Sequence, residues 1–431
     1  MATTMERRAF LKGAAATAAG VSIMQSRTAF GASANSTVNL AVIGCGGRGT
    51  NVASSFVENT PTRIAAIADL FEDRLTSGRE AYNQANAKQG RAPIEDSHAF
   101  LGSEAYLRLL ELPDVDAVLI SSPPFLHPEH LEATVRAGKN VYCEKPVGVD
   151  VHGCRRVIQA GKQAESRLSL AVGFQIRHAT PFVEMVRRIH EGQIGAIVTI
   201  QGCYLAGRVN LPEFPNAGPI ELRLRRWLND RALSGDILVE QGIHVLDICN
   251  WVMKTHPEKA FASAARAGRV DEGDTSSHYI VNFTYPGGVH LAFQSTQFDP
   301  GLGDVWERFL GDKGIAEAHY TGGVFIKGPD PWDSGVARGT PEEISSKDWA
   351  VGAFKSSLDD ADPNKQKAFI QSIQAGQRIN EAQAGAESAL TAIMARTAAY
   401  TGEEVTWDEI VTSDQRWDPM IDLRQFDKSH A

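Results

Sequence analysis

Cysteine is scarce and scattered in this 431-residue chain: Cys45, Cys143, Cys154, Cys203 and Cys249, with no Cys-x-x-Cys pair among them. An odd count without that spacing excludes a disulfide framework and a cysteine zinc site. It fits a chain that folds in a reducing compartment. No long basic run occurs and the net charge is −9, which argues against nucleic acid as a partner. No segment approaches the roughly 20 apolar residues that span a bilayer, and no internal repeat is present. What remains is an ordinary hydrophobic content of 43%, in a length sufficient for two domains with sizeable cores.

The N-terminal stretch MERRAFLKGAAATAAG pairs Arg7 with Arg8 ahead of a weakly apolar, alanine-rich run. Ala32-Ser33-Ala34 then offers a small-residue cleavage site after Ala34. The stretch resembles a twin-arginine export signal, although Glu6 stands where such signals usually carry Ser or Thr. The resemblance implies the twin-arginine export machinery as a partner, transport in the folded state and a periplasmic or otherwise exported location. The alternative is a disordered or amphipathic N-terminus of a cytosolic protein.

After residue 35 the pattern sharpens. VNLAVIGCGGRG reads as a strand, Val38 to Ile43, entering a turn in which Gly44, Gly46 and Gly49 match G-x-G-x-x-G. The first glycine permits the tight turn, the second lets a pyrophosphate approach the backbone, and the third lets helix and strand pack closely. Arg48 lies inside the turn and is assigned to the cofactor with it. A second strand, TRIAAIADL, ends at Asp69, about twenty residues past the last glycine, as the dinucleotide fingerprint requires. A carboxylate there accepts both ribose hydroxyls of NAD and repels a 2′-phosphate, so NAD is favoured and NADP is the alternative. The other reading of Asp69 is a helix N-cap before LFEDR.

The next strand, Val115 to Ile120, runs into Ser122 and Pro123, which should border the nicotinamide side of the crevice. His127 and His130 follow with H-x-x-H spacing, but no third ligand accompanies them, so no metal is assigned. His127 is expected to cap or touch the cofactor and His130 to be exposed. A strand from Asn140 to Cys143 then leads into Glu144-Lys145-Pro146.

With its G-x-G-x-x-G and, about a hundred residues on, AGKNVYCEKP, the sequence resembles the Gfo/Idh/MocA oxidoreductases. The resemblance covers most of the chain after residue 35. It implies an α/β architecture: an N-terminal Rossmann domain over residues 35–158, after a signal over 1–34. A C-terminal α+β domain with a large, mostly antiparallel open sheet then occupies 159–431. It also implies that Lys145 reaches the reacting hydroxyl and the nicotinamide, that Glu144 orients the loop or the cofactor, and that the Lys145–Pro146 bond is cis.

In LSGDILVEQGIHVLDICNWV, Glu240 and His244 are four apart and share one helix face. The family commonly has Asp-x-x-x-His here, with the histidine as proton acceptor. His244 carries over and has a suitable intrinsic pKa. Glu240 replaces the usual Asp, and its extra methylene moves the carboxylate. The family points Gln175 and Arg177 of AVGFQIRHATP at the cofactor or the sugar. Arg177, Trp227 and Asp236 are assigned to the substrate, and Trp227 reads equally as core.

Downstream, GAIVTIQGCYLAG, AFASAARAGRV, SHYIVNFTY, GVHLAFQSTQF and ERFLGDKGIAEAHY are strand-like, with a hairpin turn at Tyr285 to Gly288. Residues 328–364 look loop-like, and helices are expected at Lys365 to Ile379 and Ala384 to Tyr400. The open sheet face is expected to form a homo-oligomer, a dimer or a tetramer. The reading is an oxidoreductase acting on a sugar, polyol or glycoside CH–OH group, with NAD carried through export and recycled within the site. Two alternatives stand beside it: a glycoside hydrolase or lyase using transient sugar oxidation, and a non-catalytic sugar sensor.

Overall fold

The computed structural model describes residues 37–268, 273–298, 303–336 and 357–427. The expected export signal lies outside them. The first domain is built on six parallel strands: β1 (Val38–Ile43), β2 (Thr62–Asp69), β3 (Ala99–Leu101), β4 (Ala117–Ile120), β5 (Asn140–Cys143) and β6 (Leu170–Val172). Their order, β3-β2-β1-β4-β5-β6, reverses at β1, the doubly wound arrangement that opens a crevice at its switch point. β1 and β4 are nearly continuous apolar runs because helices cover both faces of the sheet. Those helices are α1 (Gly47–Asn59), α2 (Glu72–Lys88), α3 (Ala105–Leu110), α4 (His127–Arg136) and α5 (Val151–Ala164). α1 docks through Gly49, Val52, Ala53, Phe56 and Val57, a helical stripe of inward residues.

The sheet runs past the expected boundary at residue 158, because β6 adds to β5 after the crossover through α5. The edge at β6 is then covered by a distant part of the chain. Leu170 N donates to Ile379 O and Glu381 N donates to Leu170 O, which removes an exposed strand edge.

The second domain opens with α6 (Thr180–His190) and carries a nine-stranded sheet. Its central strands are β7 (Ile197–Ala206), β8 (Lys259–Ala265), β9 (His278–Tyr285), β10 (Val289–Gln297), β11 (Asp304–Gly311), β12 (Ile315–His319) and β13 (Val324–Lys327). Short β14 (Trp332–Asp333) and β15 (Val405–Thr406) close the edges. All neighbours are antiparallel except β7 and β10. The inward positions alternate along each strand, with Val281, Phe283, Leu291, Phe293, Val305 and Phe309 in the core. Against that face pack α8 (Ile243–Met253) and α10 (Ala382–Thr401), which follow the short α7 (Pro219–Arg225) and α9 (Ala361–Gln374). Alanine-rich α10 is buried on most of its surface and lies between α5 and β8, joining the two domains.

Three expectations change. ERFLGDKGIAEAHY forms two strands, β11 and β12, because Gly311 N bonds Gly314 O and reverses the chain. The loop-like span contains β14 and the first turn of α9, and its middle, residues 337–356, lies outside the described residues. α9 ends at Gln374 rather than Ile379, since Ile379 leaves the helix to pair with β6.

Candidate active site and cofactor crevice

The glycine-rich turn is shaped for close approach. Gly44 has φ +94°, and a Cβ on it would lie 2.6 Å from Ser122 N. A Cβ on Gly49 would lie 2.2 Å from Gly44 O and 2.4 Å from Ser121 Oγ, so Gly49 serves helix–strand packing beneath the turn. A Cβ on Gly46 would meet nothing within 4 Å, because that residue faces the open crevice at the start of α1. The orphan N–H groups of the first helical turn point to the same place. This is the cradle a dinucleotide pyrophosphate requires.

Asp69 closes the turn from below. Its Oδ2 accepts from Cys45 N at 2.7 Å and its Oδ1 from Phe71 N at 2.9 Å. Burial pushes its carboxyl above the usual range, against the pull of these two N–H groups. Asp69 is not the N-cap of α2, a position Phe71 occupies. It remains in the cavity wall.

Ser122, Pro123 and His127 line the same cavity. His127 is buried, with Nδ1 2.7 Å from Pro146 O and Nε2 2.7 Å from Ser122 O. Two carbonyl partners suit an imidazolium, whereas burial lowers the pKa. We favour the neutral ring, because full burial of a cation is the larger cost. His130, expected to be exposed, is buried: its Nδ1 lies 2.9 Å from Ser122 Oγ and its ring is 4.4 Å from that of Tyr106. Pro128 stands in the first turn of α4, and the rings of His127 and His130 on either side of it are both buried. Among the described residues no three His, Cys, Asp or Glu side chains converge as a metal site.

β5 delivers Glu144 and Lys145, and the Lys145–Pro146 bond is cis. Glu144 is buried and ion-paired to Arg48 at 3.1 Å, while Arg48 also reaches Gln175 Oε1 at 3.2 Å. Lys145 Nζ donates to Glu240 O at 2.6 Å and to Glu240 Oε1 at 2.9 Å. The carbonyl is available because Leu238–Gly242 forms a π-helical turn ahead of α8, which displaces the usual backbone ladder. The extra methylene of Glu240 is what lets its carboxylate fold back onto the same ammonium.

His244 follows in the first turn of α8. Its ring is stacked on Tyr204 at 6.2 Å and edged by Phe174 and Tyr320. Its Nδ1 is buried without a hydrogen-bond partner. Burial first, then the positive charges of Lys145, Arg48 and Lys365, hold its pKa well below the ordinary histidine value.

The cavity containing these groups measures about 700 Å³. It runs from the glycine turn and Asp69, past Ser122 and Pro123, to Lys145, Glu240, His244 and Trp227. Arg48, Glu144 and Gln175 also border it.

Two expected substrate residues lie elsewhere. Arg177 pairs with buried Asp247 at 2.8 and 2.9 Å, because the 3₁₀ turn Gln175–His178 steps about 120° per residue and so directs Arg177 away from Gln175. Asp236, with φ +70°, is fully buried and accepts from Ile237 N, Ser276 N, Ser276 Oγ, Tyr279 OH and Tyr400 OH. Its oxygens are occupied in joining strand to helix. Conversely, Tyr204, Tyr320 and Gln241 border the cavity without having been singled out. Tyr204 carried a weak signal, as an inward position of an alternating strand. Asp362 and Lys365, which back the site from α9, carried none.

The sequence likenesses agree with this geometry. The family model described as the oxidoreductase family with an NAD-binding Rossmann fold matches residues 38–173, and the GFO/IDH/MocA C-terminal domain matches residues 182–317. Inositol 2-dehydrogenase 2 of Saccharopolyspora erythraea is 28% identical over 286 residues, 66% of this chain and 74% of that protein. Inositol 2-dehydrogenase of Ralstonia nicotianae is 25% identical over 351 residues, 79% of this chain and 87% of that protein. Among solved structures, the aldose-aldose oxidoreductase of Caulobacter crescentus, complexed with glycerol, aligns with a TM-score of 0.64 and 22% identity over 86% of this chain and 99% of its own. A levoglucosan dehydrogenase, in complex with NADH and levoglucosan, aligns with a TM-score of 0.64 and 17% identity over 86% and 99%. These two share the fold. The glycine cradle, the Glu144-Lys145-Pro146 loop and both domain matches together make this chain a member of the Gfo/Idh/MocA family of NAD-binding oxidoreductases.

Proposed function

We propose that this enzyme oxidises a secondary alcohol of a sugar or polyol, keeps its NAD between turnovers, and works outside the cytoplasm after export in the folded state. The observation that carries the reading is the Lys145–Glu240 pair beside a buried His244 in one cavity with the nucleotide cradle. NAD supplies the hydride acceptor when bound. The rest falls to side chains. An alcohol carbon loses hydride only as its oxygen loses a proton. His244 is held neutral by burial and three cations, so it has an open lone pair to take that proton, and the same surroundings drive it to pass the proton on. Lys145 offers an N–H to the same oxygen, and Glu240 fixes the ammonium at 2.9 Å. Tyr204 and Trp227 supply aromatic walls suited to the C–H face of a ring.

The substrate class is supported by the relatives' activity on inositol, a polyol. The twin-arginine resemblance of Arg7-Arg8 supports export. Export of a folded protein supplies a reason for carrying cofactor, since little free nicotinamide nucleotide is available outside the cytoplasm. Recycling then needs one substrate to be oxidised and another reduced in the same site. The placement of Asp69 in the wall favours NAD over NADP. Phe261 and Ile280 are exposed on the outer face of the large sheet, which favours self-association through that face.

The test is nucleotide extracted from protein purified from the exported fraction without added cofactor. Stoichiometric NAD(H) is expected, with reduction of the bound cofactor by an inositol or aldose read at its near-ultraviolet absorbance. Protein found in the cytoplasm, or empty protein that exchanges NAD within seconds, would overturn the export and retention parts respectively.

A further inference from the structure

We propose that Asp362 and Lys365 of α9 are positioning residues for the nicotinamide end of the crevice, acting through Arg48 on Glu144 and Gln175. The inference rests on the NAD site and not on the identity of the sugar. Arg48 stands in the first turn of α1, where an unconstrained arginine would swing toward the cofactor phosphates. Its guanidinium is instead shared among Glu144 at 3.1 Å, Gln175 at 3.2 Å and Asp362 at 3.4 Å. Glu144 and Gln175 border the cavity, and Glu144 precedes Lys145 in the chain. Asp362 does not line the cavity, yet it holds the back of Arg48.

Lys365 completes the set. It is 1% exposed and its Nζ lies 3.0 Å from Asp362 Oδ1, an ion pair outside hydrogen-bond alignment. The same ammonium sits 5.1 Å above the ring of Tyr142, two residues before Glu144. Burial favours a neutral Asp362, and Lys365 and Arg48 more than offset it, holding the carboxyl well below its ordinary range. Two cations and two carboxylates thus alternate from α9 to the Glu144-Lys145-Pro146 loop, with Lys365 and Glu144 buried at the ends and Asp362 and Arg48 partly buried between them. Buried ions are costly to isolate, so removing one member forces the others to move. α9 is itself fastened on both sides. Ser55 Oγ donates to Gln366 Oε1 at 2.9 Å, and Asn364 Nδ2 donates to His178 O at 3.1 Å. One helix therefore references α1 and the Gln175–His178 turn together.

In the doubly wound fold the nicotinamide lies beyond the ends of β4 and β5, on the Glu144 side, and the adenosine on the Asp69 side. A fault in Arg48 should therefore be felt at one end of the cofactor only. The experiment is displacement of bound NADH, read by its fluorescence, using NAD+ and ADP-ribose as competitors. Near-isosteric Asp362→Asn and the more disruptive Lys365→Met are compared with the parent, with Lys365→Arg as the charge-retaining control. NAD+ is expected to compete about tenfold less well in Asp362→Asn and Lys365→Met, while ADP-ribose changes less than about twofold. Lys365→Arg should lie near the parent. A ratio of NAD+ to ADP-ribose that stays at the parent value in Asp362→Asn, whether both affinities hold or both fall, would overturn the proposal. No sugar enters this assay, so an error in substrate class produces neither result.

Discussion

At the scale of single residues, the site depends on where one methylene places one carboxylate. Glu240 reaches Lys145 Nζ at 2.9 Å through its side chain while its own carbonyl holds the same ammonium at 2.6 Å. Glu240→Asp withdraws the carboxylate and leaves only the carbonyl. We expect kcat to fall about tenfold with NADH affinity unchanged, read by steady-state rates and NADH fluorescence. Lys145→Met removes the proposed donor at the reacting oxygen and should lower kcat by about 10³-fold, the middle of the range for proton-handling groups, with the nucleotide still bound. A second test concerns pH. Burial pushes the His130 pKa down to about 3, with neighbouring His127 adding to the shift. A group depressed this way takes up a proton on unfolding below its unfolded pKa near 6.5. Its contribution is present above that pH and is lost as pH falls toward the folded value. From pH 7.5 to 5.5 that loss is about 1.4 kcal/mol for one such histidine. His130→Gln should therefore be less stable at pH 7.5 but should lose about 1.4 kcal/mol less over the same interval, measured by urea denaturation. An unchanged interval would mean that His130 titrates in the folded protein as it does in the unfolded chain.

At the scale of elements, the nucleotide turn makes the sharpest demand. Gly49→Ala places a Cβ 2.2 Å from Gly44 O, and neither α1 nor β1 can yield without opening the cradle. A stability loss of about 1–3 kcal/mol is expected, together with weaker NADH binding, from thermal melts and titration. Retained affinity would show that α1 tilts freely. This turn was legible because its physics is local: backbone conformation and close approach select glycine directly. β1 and β5 were legible to the residue for a related reason, since a strand buried on both faces is a bounded apolar run. Legibility failed where distant chain decides. The boundary expected at residue 158 missed that β6, only three residues long, is joined to the first sheet by β5 and held there by residues 379–381. The turn Leu238–Gly242 looks helical in sequence, and nothing there announces that one extra residue widens it to a π-turn. Arg177 and Asp236 stand near cavity-lining residues in the chain, yet partners from α8, β9 and α10 claim them. Asp362 and Lys365 had no motif to mark them, because their role depends on the docking of α9 against α1.

At the scale of the whole molecule, two segments of the C-terminal domain cross the adenosine end of the crevice and fasten to the nucleotide domain. Arg225 of α7 pairs with Asp73 at 2.9 Å through two nitrogens and lies over the Phe71 ring at 4.0 Å and the Phe214 ring at 4.8 Å. The chain end arrives beside it. Phe426 meets Phe71 edge-on at 5.6 Å, Asp427 accepts from Ser103 N at 2.6 Å and from Ser103 Oγ at 2.7 Å, and Leu423 borders the cavity. Phe71 thus serves both fastenings from just beyond Asp69. A dinucleotide leaving this end must part at least one of them. Exposed ion pairs alone contribute little, so the stacked rings should dominate the barrier. Phe426→Ala combined with Asp427→Ala is expected to speed NADH release at least about tenfold, as one lost aromatic contact and two lost hydrogen bonds would allow. Asp427 is exposed and Phe426 only partly buried, outside both hydrophobic cores, so the melting temperature should move little. Release is measured by trapping free NADH with a fast external dehydrogenase. A release rate equal to the parent's would mean that the cradle and the nicotinamide end hold the cofactor unaided. A faster rate, with turnover now dependent on added NAD, would tie retention to this closure and give the proposed export in the folded state a physical reason.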